Sequence, residues 1–168
     1  MSLVEQHELS METDLNEFPL LVDSFECWNR WRDGAPAPRW GDIEMMDLPT
    51  KLLPSTIVVD VIDGGRDLRF RYWGSALVDL YGAELTGSLF SESIDTLFGN
   101  LPHKQYQRVI DEGRPLLFNV TIRRPNNMMA QRINLRLPVI DANDEVSKVM
   151  TLVQLSSHKL DPAAEDWR

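Results

Sequence analysis

The sequence predicts an α+β domain: a five-stranded antiparallel sheet with short helices gathered on one face, preceded by an N-terminal helical leader. Three observations carry this. Segments rich in β-branched and aromatic residues at 57–63 and 68–73 flank a Gly64-Gly65-Arg66-Asp67 turn, the pattern of a β-hairpin. Three further strand-like segments, 115–123, 131–140 and 147–155, close the chain. They are joined by Arg124-Pro125-Asn126-Asn127 and Asp141-Ala142-Asn143-Asp144, both turn chemistry. Joints this short leave no room for crossover helices, so the last three strands meander antiparallel. The order β-β, helices, β-β-β is that of a layered α+β structure.

Each element has a local reason. Residues 1–17 are polar and acidic with scattered apolar side chains, and read as a loose amphipathic helix or a mobile tail. Residues 18–33 read as a helix, with Leu21, Phe25 and Trp28 at spacings of three and four, Asp23 or Ser24 as its cap, and Gly34 as its stop. Two prolines and two glycines make 34–42 a strap. Residues 42–53 form a short helix or turns, ended by Pro54. After the hairpin, Gly74 ends a strand, Ser75 caps a helix through Tyr81, and Gly82 terminates it. Residues 83–100 are turns and helical pieces. A clearer helix spans 101–113, with Pro102 in its first turn and Tyr106, Val109 and Ile110 as its buried stripe. The division is therefore 1–50, an acidic leader and strap; 51–156, the body; and 157–168, a polar tail.

Composition narrows the function classes. The chain has 168 residues and a net charge of -9, which disfavours nucleic-acid binding through a general basic surface. Residues 1–50 hold 11 of the 26 acids and only 3 of the 17 lysines and arginines, so the body is nearly neutral. No apolar run approaches the length of a membrane helix, and no secretory pattern opens the chain. The single cysteine, Cys27, rules out an internal disulfide and reads as a packed residue beside Trp28. These features point to the cytoplasm.

The stretch from Arg69 to Gly87, with an aromatic and basic strand, Gly74, a short helix, Gly82 and Leu85-Thr86-Gly87, resembles a PAS domain. More narrowly it resembles a bacterial subfamily of short, mostly stand-alone PAS domains, PAS_5-like, over residues 20–155. The Trp-rich helix, the Pro-rich strap and Leu52-Leu53-Pro54 before an Ile/Val strand fit the same pattern. The resemblance implies a sensory or signalling module with its ligand pocket between sheet and helices, commonly dimeric through leader helices and sheet faces.

No catalytic signature is present: no nucleophile elbow, phosphate-cradling loop or dinucleotide fingerprint occurs, so the chain does not read as an enzyme. Three histidines, His7, His103 and His158, are not clustered for a metal. His103 alone stands where some haem-binding PAS domains place an axial ligand, but reads as a partly exposed helix residue. Flavin photochemistry needs a cysteine facing the ring, and Cys27 lies in the leader. The cofactor is thus open, with flavin disfavoured and haem unsupported.

Strand alternation places Phe70 and Tyr72, Phe118, Val120 and Ile122, Ile133, Leu135 and Leu137, and Val149, Thr151 and Val153 on the inward face. The resulting pocket residues are Tyr72, Leu77, Leu80, Tyr81, Phe98, Tyr106, Phe118 and Leu135. The tyrosines supply polar handles in a cavity of a few hundred Å³, the usual size for a small apolar ligand. The outward face then carries Arg69, Arg71, Trp73, Arg123, Arg132, Asn134 and Arg136. Against it the acidic leader docks, with Trp28 and Trp31 beside Trp73, or else the leader helix packs on a second copy of the chain. The function expected is a sensory module, without an effector domain of its own, that binds a small molecule or a signalling protein. The alternative is a dimerisation domain with a filled core.

Overall fold

The computed structural model describes residues 2–93, 101–124 and 126–158. Its elements run β1 (Ser2–Leu9), α1 (Pro19–Arg32), β2 (Thr56–Ile62), β3 (Asp67–Trp73), α2 (Ser75–Tyr81), α3 (Phe90–Ser93), α4 (Leu101–Glu112), β4 (Leu116–Arg123), β5 (Met129–Ile140) and β6 (Val146–His158). The six strands form one sheet, ordered β1-β4-β5-β6-β2-β3, in which every neighbouring pair is antiparallel.

The hairpin and the final meander stand as expected. The N-terminus does not: it opens on a strand, not a helical leader, and the sheet has six strands, not five. Residues 2–9 lie along β4, with Ser2 opposite Arg123 and Leu9 opposite Leu117. Nothing in Ser2–Leu9 favours a strand strongly. The cause is tertiary, because β4 would otherwise expose a row of unpaired backbone groups. Glu8 closes the arrangement by taking Arg108 Nη1 at 2.7 Å, tying β1 to α4. At the other terminus β6 continues to His158, which pairs with Met129; residues 159–168 lie outside the described residues.

The second correction concerns layers. Helices cover both faces of the sheet. On one face α1 lays Leu21, Cys27, Trp28 and Trp31 against Val58, Leu117, Ile133, Leu135, Leu137, Met150 and Leu152. On the other, α2, α3 and α4 cover Ile57, Val59, Phe70, Leu116, Phe118, Val149 and Val153. The leader helix thus docks on the sheet's apolar face and not on the arginine-bearing one expected of it. Trp28 Nε1 also donates to the Pro138 carbonyl at 2.9 Å, so its one polar atom is satisfied inside the core. The helix starts on Pro19, not at an Asp23 or Ser24 cap; Ser24 lies within it and bonds back to Leu20 O. Its stop is left-handed backbone at Asp33, ahead of Gly34.

Two glycines fix the joint that leads into the helical cover. Gly82 ends α2 in the left-handed conformation, its N–H bonding Val78 O at 2.7 Å. Gly74 has ordinary extended backbone and is required for another reason: a Cβ there would collide with the Pro54 carbonyl. The turn Leu53–Ser55 therefore packs directly on the β3–α2 corner. Ser75 is the first residue of α2 rather than a cap.

Two stability measurements follow from this packing. Trp28→Ala should lower stability by about 3–5 kcal/mol, as large aromatic truncations in a core do. Gly74→Ala should cost about 1–3 kcal/mol, read as a lower urea midpoint at unchanged slope. An unaltered midpoint for Gly74→Ala would mean that the Leu53–Ser55 turn yields and that Pro54 does not define the corner.

Candidate functional site

β5 carries alternating chemistry: Ile133, Leu135 and Leu137 on one side, Arg132, Asn134 and Arg136 on the other. Alternation alone does not say which side meets which layer. The structure turns the apolar set toward α1 and the polar set toward α2–α4. This reverses the expected facing of β5. Leu135 is therefore not a pocket residue, and Arg136 is not on an outward docking face. With both faces of the sheet covered, each half of the strand is buried: Arg132 keeps 8% of its accessible surface and Arg136 2%.

A second local irregularity re-aims β3. The β2–β3 register slips between Val58 and Val59, so that Val58 pairs with Tyr72 and Val59 with Phe70. Arg71 is the extra residue, and a bulge of this kind shifts the side-chain parity beyond it. Phe70 and Trp73 consequently share the inner side, in edge-to-face contact with ring centroids 5.1 Å apart. Tyr72, expected inside, is on the surface with its hydroxyl donating to Leu53 O. Trp73, expected outside, is buried, and its Nε1 donates to Ala83 O at 3.1 Å.

The result is a cavity between the sheet and the α2–α4 cover. Its aromatic and aliphatic wall comes from Ile57, Phe70, Trp73, Tyr81, Phe90, Leu101, Pro102, Tyr106 and Val120, and its polar lining from Gln105, Arg132, Asn134 and Arg136. Its volume is about 30 Å³, room for water-sized occupants and far below the few hundred Å³ expected. Arg136 is held rigidly. Its Nε and Nη2 both donate to Gln105 Oε1, at 3.1 and 2.8 Å, and Nη1 donates to Thr151 Oγ1 at 2.9 Å. Its guanidinium carbon lies 4.1 Å from the Tyr106 ring centroid. Arg132 is different: its guanidinium carbon is 5.3 Å from the Tyr81 ring centroid, but Nε has no hydrogen-bond partner. Asn134 Oδ1 is likewise buried without one.

Neither arginine takes part in an ion pair among the described residues. Burial, and secondarily the like charge of Arg136, pull the Arg132 guanidinium down to about 9. It therefore still carries its proton at neutral pH. Burial also holds Arg136 below its ordinary range, with Tyr106 opposing that shift. Bringing a charge out of water costs several kcal/mol even after relaxation, unless a partner compensates.

The remaining expected pocket residues are dispersed. Tyr81 and Tyr106 line the cavity. Leu77 and Phe118 belong to the apolar cluster behind it, and Leu80 packs on Val120, Ile122 and Ala130. Phe98 lies outside the described residues. Of the expected docking residues, Trp28 and Trp31 are buried under the sheet. Arg69 is exposed and donates to Gly87 O. Arg71 pairs with Asp60 at 2.9 Å and lies 5.8 Å from the Trp40 ring centroid, so one arginine of that face does meet the strap. His103, considered for haem, sets Nε2 2.7 Å from Gly65 O; since the carbonyl only accepts, Nε2 donates there. No group of three or more potential metal ligands occurs among the described residues, and none of their helices is long and apolar enough to cross a membrane. Trp73, Arg132, Asn134 and Arg136 are the cavity residues that the sequence reading put on the wrong side. The available signal was a strand with charge on one face in a chain with helices enough for two layers.

An open antiparallel sheet with short helices over a small cavity is the layered arrangement that the PAS resemblance implies. The family comparison agrees: the PAS_5 model, described as a PAS domain, matches residues 18–154, and the chain belongs to that family. PAS domains are generally non-catalytic, and membership implies a sensory or signalling module. No curated protein matches the chain. Strand β1 lies before the matched segment.

Arg132→Met removes a buried, uncompensated charge while keeping an unbranched stem. In ligand-free protein it should leave stability unchanged or raise it, by up to about 4 kcal/mol, measured as the urea midpoint. A marked loss would mean that Arg132 holds the fold together and is not a residue kept for another purpose.

Proposed function

We propose that this chain is a PAS sensory module that binds a small molecule in the cavity beneath α2–α4. The occupied state shifts that cover and is reported to a second copy of the chain or to a separate signalling protein. One observation carries the reading: among the described residues, two guanidiniums are buried at the cavity with no acidic partner, and the Asn134 amide oxygen is buried there with no donor. A core selected only for stability gains nothing from such groups, since well-packed apolar residues serve as well or better. Any occupant larger than water requires the helical cover to move outward, which is how binding would become a signal.

A dimerisation domain with a filled core is the second reading, and the small cavity favours it. In that case the chain acts through its surface, and the arginines serve packing specificity.

Native mass spectrometry of the purified full chain separates the two. The sensor reading expects a small extra mass that leaves on mild collisional activation, together with a defined subunit count. A chain that is bare from several expression media, and whose melting temperature no small molecule raises, would end the sensor reading and leave the scaffold.

A further inference from the structure

We propose that the ligand of this cavity is a short organic carboxylate, an inference that rests on the cavity being a ligand site and adds the chemistry of its occupant.

The charge count comes first. Arg132, Asn134 and Arg136 stand at alternate positions of one strand, so they project to the same side. Arg136 is locked by three bonds to the neutral acceptors of Gln105 and Thr151. Those bonds orient it without neutralising it. Arg132 is more than nine-tenths buried, and its Nε has no hydrogen-bond partner. The cavity therefore presents two positive charges and calls for an anion. A guanidinium edge matches a planar carboxylate, which it takes in two parallel bonds.

Size and lining choose among anions. Phe70, Trp73, Phe90 and Tyr106 make most of the remaining wall apolar. A phosphate would bury further charged oxygens against these rings without donors, whereas a carboxylate has two oxygens, both within reach of one fork. The aromatic wall then faces the hydrocarbon part. At about 30 Å³ the space admits only water-sized occupants as it stands, so any such carboxylate needs the cover to move outward, and a hydrocarbon part of a few carbons needs the least movement.

The test is calorimetric titration of the full chain, in buffer free of other organic anions, with four probes: propionate, butyrate, the neutral isostere propionamide, and inorganic phosphate. Propionate or butyrate should bind at millimolar concentration or better, propionamide at least about tenfold more weakly, as loss of a charge-assisted bond implies. Arg132→Met should weaken the carboxylate by about 10–100-fold. Should Arg132→Met fail to fold, the four wild-type titrations decide alone. Equal binding of amide and carboxylate, tighter binding of phosphate, or no carboxylate binding would each overturn the proposal. A neutral co-purified mass would overturn it too, while leaving the ligand-site reading intact. Only a chain that never carries or binds any small molecule defeats both.

Discussion

The parity of β5 governs the rest of this structure. A strand in the middle of a sheet covered on both faces must bury nearly all its side chains, and β5 divides them into an aliphatic row and an Arg-Asn-Arg row. The aliphatic row provides the floor on which α1 docks. The polar row lies under α4, where Gln105 and Thr151 take up one guanidinium and leave the other open. A slip of one residue in the β4–β5–β6 register would exchange the two rows. Arginines would then meet the tryptophans of α1, and leucines would fill the cavity. The apolar core and the charged cavity are thus two consequences of the same pairing.

The helical cover and the leader make unequal contributions. α1 rests on a broad aliphatic surface and buries two tryptophans, which makes it part of the core rather than an accessory. α2 and α3 are short, of seven and four residues, too short to be stable without tertiary contacts. They are held by the Gly74 corner, by the Trp73 bond to Ala83 O and by aromatic contacts with Phe70. Segments of this kind open at lower free energy than the sheet beneath them.

Strand β1 gives the sheet a sixth member outside the segment that matches the family. It pairs with β4 along its length and anchors α4 through the Glu8–Arg108 contact. Its position beside the strand that neighbours β5 links the start of the chain mechanically to the face bearing the arginines. Gln6 adds a long contact to Gln105, the residue that holds Arg136.

Local signals were sufficient for much of the fold. The β-branched runs, the turn residues at 64–67, 124–127 and 141–144, and the glycines at 74 and 82 mark the hairpin, the meander and the α2 corner; hydrogen bonding and backbone limits within a few residues decide all of these but Gly74, which the distant Pro54 carbonyl requires. The same signals carried the family resemblance. What only the folded chain decided is which way the strands face. β5 offers an apolar and a polar half, and the choice of a single apolar inner face sent Arg132 and Arg136 outward on paper. Both are inside, because α1 covers the second face and needs the apolar half for itself. The bulge at Arg71, which exchanges Tyr72 for Trp73, and the strand at 2–9, which answers the open edge of β4, are likewise set by partners distant in sequence. Periodicity shows that two faces exist; only packing against the rest of the molecule tells them apart.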